Sequence, residues 1–140
     1  MIAKKSVIRL SVIIYLILAI GLFSNCSKKD IVGKLIDQTI VEFNKQCPMP
    51  IDTETRLDSM SRPAKNIMAY NYSLPNIAKE EIKMRGIDFS IIEKQAPQAI
   101  KLIPSFEPLR KLDVIFRYTY YDKNGVLVHS FDVTPEQYSE

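Results

Sequence analysis

The apolar pattern at the start of the chain is one continuous run. Residues 10–23 are apolar apart from Ser11 and Gly21, and three basic residues stand before them within the first nine positions. A helix that spans a bilayer needs roughly 20 apolar residues, whereas the core of a signal peptide takes roughly 7 to 15. A run of 14 residues therefore predicts a cleaved export signal over residues 1–25. Retention of the run as a membrane anchor stays open.

A cysteine follows this run almost directly. The stretch "LFSNC" at residues 22–26 resembles the processing site of bacterial lipoproteins, although Phe23 and Asn25 depart from the usual leucine and the usual glycine or alanine. The resemblance implies that Cys26 receives a lipid. Because the chain has no linker-like tract elsewhere, we expect residues 26–30 to be the lipidated cysteine and a short tether. Each acyl chain contributes about 0.8 kcal/mol per buried methylene, so several chains hold a domain on a membrane without a spanning helix.

The residue after the cysteine bears on location. Ser27 stands there rather than aspartate, which resembles lipoproteins sent to the outer membrane, facing the periplasm, in bacteria that have one. We therefore expect a membrane-anchored lipoprotein of the bacterial cell envelope. The alternative is an ordinary secretory signal with a chance cysteine near its end.

Beyond the tether, apolar positions first recur at a helical period. The pattern predicts a helix from residue 28 to residue 47, ended by Pro48. The stripe consists of Val32, Leu35, Ile36, Ile40, Phe43 and Cys47.

Helical patterns return in the middle of the chain. Residues 76–86 predict a helix ended by Gly86, and a second helix is expected after Asp88, an acceptable N-cap. Three prolines predict short turns rather than one helix over residues 97–110.

Two segments alternate between apolar and polar positions, as strands do. Residues 55–74 predict a hairpin that turns around residues 61–66. Residues 112–133 predict a second hairpin that turns at Asn124 and Gly125, and Thr134 is expected to cap a final helical turn.

The order helix, hairpin, helices, hairpin predicts the fold class. We expect a single α+β domain over residues 31–140, with helices packed on one face of a roughly four-stranded antiparallel sheet. Removal of residues 1–25 leaves 115 residues, which suffices for one domain.

Part of the mature chain resembles a known group. The stretches "FNKQCPMPIDTETRLDS", "YNYSL" and "YTYYDKNGVLVHSFDVTPEQY" are similar to short exported bacterial proteins whose function is uncharacterised. The matching positions at the start of this region are Asn44, Cys47, Pro48, Asp52, Thr55 and Leu57. The resemblance covers most of residues 43–138 and implies a small α+β domain, without an activity or catalytic residues.

Charge argues against one class of partner. The whole chain has 19 basic and 16 acidic residues, and all three basic residues before Cys26 leave with the signal peptide, so the mature chain is formally neutral. Binding to a polyanion needs a concentrated positive surface. We therefore expect no nucleic-acid partner.

The mature chain offers one thiol and one imidazole, Cys47 and His129. A thiol nucleophile needs a base within hydrogen-bond reach. Because Cys47 lies on an apolar stripe and His129 shares the parity of Phe131 and Val133, packed structural roles are favoured over catalysis.

An acidic row could suggest calcium. Asp52, Glu54, Arg56 and Asp58 share one face if residues 51–58 are extended. Neighbours on that face would lie about 6.6 Å apart, so the row cannot converge on one ion. A solvated strand face is favoured, and we expect no metal and no other cofactor.

Five of the seven tyrosines fall in predicted strands, where sheet packing is their favoured role. The less apolar face of the last hairpin carries Arg117, Thr119 and Tyr121, which we predict as a binding surface. An exposed strand edge is the other candidate.

Together these patterns favour a lipid-anchored envelope protein that binds a protein partner or another envelope component and is not an enzyme. Two alternatives stay open. One is a small thiol enzyme or hydrolase that uses Cys47 and His129, and the other is a structural lipoprotein that self-associates.

Overall fold

A computed structural model of the chain describes residues 28–139. The predicted signal peptide and the lipidation at Cys26 lie outside these residues. Within the described part, no helix has the length and the apolar character that a membrane crossing requires.

Five α-helices and five β-strands make up this part of the chain. The helices are α1 (Lys28–Asn44), α2 (Glu81–Met84), α3 (Phe89–Leu102), α4 (Glu107–Lys111) and α5 (Pro135–Tyr138), with a 3-10 turn at Pro104–Phe106. The strands are β1 (Met49–Pro50), β2 (Arg56–Ala64), β3 (Ile67–Ser73), β4 (Ile115–Tyr121) and β5 (Leu127–Val133).

The strands form one five-stranded sheet in the order β1-β2-β3-β4-β5. Both predicted hairpins are confirmed, as β2–β3 and β4–β5, but β3 and β4 run parallel. The prediction of an α+β domain with a roughly four-stranded antiparallel sheet is therefore met in outline but not in detail, since the sheet has five strands and the pairing of β3 with β4 is parallel. Parallel strands need a crossover of a dozen residues or more, and residues 74–114 with their helices provide it. Apolar–polar alternation within a strand does not show whether the strand pairs parallel or antiparallel with its neighbour. Strand β1 has two residues, too few for alternation to be recognised.

Helix α1 ends at Asn44, one turn earlier than predicted, and its last side chain is tied to the sheet. The Asn44 amide donates from Nδ2 to the carbonyl oxygen of Met60 at 3.0 Å and accepts from the Met60 backbone N–H at 2.7 Å. A second link joins Arg62 of β2 to Asp37 through two hydrogen bonds of 2.7 and 2.8 Å. These contacts fix the helix over β2.

One face of the sheet is apolar and covered by helices. Cross-strand register places Tyr70 beside Tyr118 and Tyr118 beside Phe131, with ring centroids 5.0 and 4.9 Å apart. Phe116 is fully buried and stacks on Phe106 from the crossover at 5.5 Å. The strand tyrosines on this face pack as the sequence predicted.

The crossover corrects two helix predictions. Helix α3 begins where expected, since the Asp88 Oδ1 accepts from the Ser90 N–H at 2.9 Å, but it continues through Pro97 to Leu102. An internal proline costs about 3 kcal/mol, which burial of Ile100 against the core offsets by roughly 1.5–3 kcal/mol. The predicted helix over residues 76–86 shrinks to α2, and Gly86 follows it with φ +68°.

The C-terminal turn forms as predicted. Pro135 opens α5, and the backbone N–H of Thr134 donates to the Gln137 side chain at 2.8 Å. The buried Tyr138 hydroxyl donates to the carbonyl oxygen of Val114 at 2.8 Å. The last helix is thereby locked to the start of β4.

Candidate functional site

Two cavities flank the end of the sheet at which the parallel strands β3 and β4 finish. At such an end, connections depart in different directions and leave a crevice, which is where open sheets with parallel strands commonly bind ligands. One cavity lies on the helix-covered side and the other on the opposite side.

The cavity on the helix-covered side, here called the apolar cleft, has a volume of about 580 Å³. Its lining consists of Asp52, Thr53, Glu54, Thr55, Leu74, Arg85, Ile87, Phe89, Ile92 and Tyr120. Leu74 is held at the strand end by a hydrogen bond from its N–H to the Tyr121 carbonyl oxygen at 2.8 Å. Phe89, the first residue of α3, packs on Tyr120 with ring centroids 5.0 Å apart. Five apolar or aromatic side chains thus form the floor.

Charged groups stand at the rim of the apolar cleft. Arg85 contacts Glu54 at 3.5 Å and Glu81 at 3.1 Å. Asp52 does not lie in a strand: its Oδ1 accepts from the N–H groups of Glu54 and Thr55 at 2.8 and 2.7 Å and closes a turn. The acidic row considered for calcium is therefore broken, because β2 begins only at Arg56.

Exposed apolar side chains occur next in sequence to the cleft lining. Three large side chains next in sequence to lining residues are at least half exposed: Ile51 at 50%, Met84 at 79% and Ile91 at 55%. Each of the three lies one position from a residue that lines the cleft.

Tyr120 has no basic character in this cleft. Burial, together with the nearby Tyr118 and the Asp52 carboxylate, raises the pKa of Tyr120 far above its usual range. The phenol stays protonated, so it can donate a hydrogen bond to a bound group and cannot remove a proton from one.

The second cavity, here called the polar cavity, has a volume of about 340 Å³. Its lining consists of Arg56, Asp58, Ser73, Pro75, Tyr121, Asp122, Lys123 and Gly125. Ser73 lies between Arg56 and Tyr121 in one cross-strand row. Its side chain is buried, and its Oγ has no hydrogen-bond partner in the described part of the chain.

The predicted binding surface is only partly brought to a cavity. Arg117, Thr119 and Tyr121 do share one face of β4, as alternation predicts, but Arg117 is engaged by Asp132 through hydrogen bonds of 2.7 and 2.8 Å. Thr119 is buried at 8% exposure, with its hydroxyl 3.4 Å from that of Ser130. Tyr121 lines the polar cavity, whose lining contains neither Arg117 nor Thr119.

The structure does not bring Cys47 and His129 together. Cys47 precedes β1 at one edge of the sheet, and His129 lies on β5 at the other edge. The His129 Nε2 is 2.5 Å from the Glu93 Oε1, and its ring stacks on Phe89 at 4.7 Å. Burial, and secondly the Asp58 carboxylate, raises the pKa of the Cys47 thiol. A raised pKa opposes thiolate formation at neutral pH.

Two features of the site were missed by sequence reasoning. The contact between Glu93 and His129 joins residues 36 positions apart, and no local pattern reveals such a pair. The apolar cleft draws its lining from a turn, a strand end and two helical segments, which only the crossover brings together. Across residues 28–139, no group of three or more His, Cys, Asp or Glu side chains could hold a metal ion.

Comparisons with known proteins fix the family and the fold. Residues 33–128 match the family described as Domain of unknown function (DUF8479). No curated protein matches this chain in sequence.

Three solved structures share the fold. A protein from Pseudomonas aeruginosa that is described as secreted has 13% identity and a TM-score of 0.65, over 79% of this chain and 95% of that one. The type 2 secretion system pilotin EpsS of Vibrio vulnificus has 11% identity and a TM-score of 0.64, over 79% and 94%. The type II secretion system pilotin AspS of Vibrio cholerae has 10% identity and a TM-score of 0.60, over 79% and 94%. At such identities the likeness establishes a common fold.

Proposed function

This chain belongs to the DUF8479 family of domains of unknown function, and we propose that it is a lipid-anchored protein of the bacterial cell envelope that binds another envelope protein and catalyses no reaction. The anchor is a lipid on Cys26, after removal of residues 1–25. In a cell with an outer membrane, the domain faces the periplasm from that membrane.

The apolar cleft is the observation that carries the proposal. An apolar floor surrounded by charged groups is the usual composition of a protein-binding site, in which a buried centre supplies affinity and a polar rim supplies orientation. A volume of about 580 Å³ suits one or two large apolar side chains of a partner segment. Met84 and Ile91 are exposed, and each is next in sequence to a lining residue.

The structural likeness supports an accessory role. Two proteins of the same fold are named as pilotins of type II secretion systems. We infer that the partner is a component of an envelope assembly, such as a secretion system, rather than a small metabolite.

The chemistry of the described residues supports binding without catalysis. The thiol of Cys47 has a raised pKa, and the imidazole of His129 is occupied by Glu93. Arg117 is likewise occupied by Asp132. A nucleophile with an adjacent base, which covalent catalysis needs, is not formed by these groups.

Site-specific cross-linking in cells tests the cleft. A photoreactive phenylalanine analogue replaces Ile91 or Met84 next to the cleft, and Lys65 serves as the control position because it is exposed in the β2–β3 turn at the opposite end of the sheet. We expect one protein adduct of the same mass from both cleft positions and none from Lys65. Equal labelling of many proteins from all three positions would contradict a specific partner.

A pair of cysteine variants tests the anchor. Cys26→Ala should abolish incorporation of labelled palmitate and release the protein from the membrane fraction, whereas Cys47→Ala should change neither. Lipid labelling of Cys26→Ala would disprove lipidation at that residue. Membrane retention of the same variant without labelling would show that the apolar run of residues 10–23 holds the protein instead.

A further inference from the structure

The N-terminal part of α1 lies near the end of the sheet that is opposite the apolar cleft. Gly33, in the second turn of α1, lies against the guanidinium of Arg62 near the end of β2. The same guanidinium is bound to Asp37, one turn further along the helix. The cleft takes its lining from residues 52–55, just before β2 begins at Arg56. A strand rises about 3.3 Å per residue, so the stretch of β2 between these two places is about 20 Å long.

Very little chain separates this end of the sheet from the proposed anchor. Helix α1 begins at Lys28, so Ser27 alone stands between the helix and Cys26. An extended residue spans at most about 3.6 Å and a helical residue about 1.5 Å, so the chain from Cys26 to Gly33 reaches at most about 15 Å. The inference that follows rests on the proposed anchor, because a membrane-bound Cys26 keeps the neighbourhood of Gly33 close to the lipid surface.

The surface beside Gly33, here called the anchor end, consists of Lys34 and residues 62–66. All of these residues are exposed. Lys34 and Lys65 form no ion pair within residues 28–139. Asp113, just before β4 at the same end of the sheet, is an exposed carboxylate that opposes them. The anchor end therefore offers two ammonium groups to an outside acceptor and buries no apolar cavity.

We propose that the anchor end is a membrane-contact surface, which rests on phospholipid headgroups with Lys34 and Lys65 against their phosphate groups. Basic residues beside a membrane anchor are attracted to anionic headgroups over about one screening length. Residues 28–30, two lysines and one aspartate, add a further positive charge between the anchor and this surface. In this orientation the apolar cleft opens away from the membrane, where a partner reaches it.

The test measures which end of the domain lies close to lipid. The full lipidated chain is purified from bacterial membranes and returned to vesicles of phosphatidylethanolamine and phosphatidylglycerol that contain a lipid spin-labelled on its headgroup. In the Cys47→Ala chain, a fluorescent thiol probe is attached after Asn66→Cys at the anchor end, or after Met84→Cys or Ile91→Cys beside the cleft. We expect several-fold stronger quenching of the probe at position 66 than of either cleft probe.

A pair of charge reversals tests the two lysines. Lys34→Glu combined with Lys65→Glu should reduce quenching of the probe at position 66, because carboxylates are repelled by phosphate groups. The matched control is Lys83→Glu combined with Lys94→Glu, which changes the net charge equally at exposed positions of α2 and α3. The control should leave the quenching unchanged. An equal reduction in both pairs would overturn the contact of Lys34 and Lys65 with headgroups.

Flotation of the chain with the vesicles is measured beside the quenching and separates two failures. If the chain floats and the cleft probes are quenched as strongly as the probe at position 66, or more strongly, the proposed orientation is wrong and the anchor stands. Insertion of the exposed Met84 and Ile91 into the bilayer would give that result. If the chain does not float, the anchor fails and the proposed orientation fails with it.

Discussion

The two faces of the central sheet use the same strands and are held in different ways. On the helix-covered face, Phe116 is fully buried and Tyr118 stacks between Tyr70 and Phe131. On the polar face, the prominent contacts are hydrogen bonds such as that from Asn71 to Ser61 at 3.1 Å and the ion pair of Arg117 with Asp132. Burial of apolar area stabilises far more than half-exposed polar pairs do. The apolar face therefore determines the fold.

The largest change in the free energy of unfolding is expected at Phe116, on the apolar face. Phe116→Ala should lower the free energy of unfolding by about 3–5 kcal/mol, since it opens a cavity between Phe106 and Tyr138. Thr119→Ala on the opposite face of the same strand should cost about 1 kcal/mol. Urea denaturation followed by circular dichroism measures both. Equal losses would show that the polar face contributes as much as the apolar one.

A polar contact matters more where it ties a helix to the sheet. Asn44→Ala removes both hydrogen bonds to the Met60 backbone and should lower the free energy of unfolding by roughly 1–3 kcal/mol. The matched control is Asn71→Ala, whose amide contacts only serine hydroxyls on the polar face and which should cost less. A larger loss of stability in Asn71→Ala than in Asn44→Ala would show that the hydrogen bonds between Asn44 and Met60 contribute little to folding.

The sequence predicted individual strands and helix starts, but it did not predict how the strands and helices are arranged. Alternation identified β4 and its partner strand, and Asp88 and Thr134 marked helix starts that the structure confirms. Helix α3 was misjudged at Pro97, because the burial of Ile100 that compensates for a proline is a tertiary contact. The direction of β4 relative to β3 depends on how the crossover packs, and local pattern does not encode it. The packing of the crossover also forms the apolar cleft, so the local sequence pattern does not predict the cleft either.

A third prediction concerns Asp122, a buried carboxylate at the turn that lines the polar cavity. Hydrogen bonds from the N–H groups of Val126, Lys79 and Asn124 lower the pKa of Asp122 below its usual value of 3.8. The stability that its ionised form contributes is therefore present above about pH 4 and is lost as the pH falls through the folded-state pKa. In Asp122→Asn, stability should therefore fall less steeply as the pH is lowered from about 4. Thermal unfolding between pH 2 and 6, at intervals of about one unit, measures this dependence. If the variant loses stability at low pH as steeply as the unchanged chain does, other carboxyl groups cause the loss.

The smallest effect is expected at the most regular polar contact, the ion pair between Arg117 and Asp132. Its two hydrogen bonds have nearly ideal lengths, but the side chains are 36% and 33% exposed. Water and salt screen charges at that exposure, so a double-mutant cycle of Arg117→Met and Asp132→Asn should give a coupling of about 0.5–1 kcal/mol. The coupling should shrink further in about 1 M salt, where the screening length falls to about 3 Å. A coupling energy above about 2 kcal/mol that does not change with salt concentration would mean that the polar face is covered in solution. That result would remove the distinction between the two faces and direct the search for a partner to the surface around Arg117.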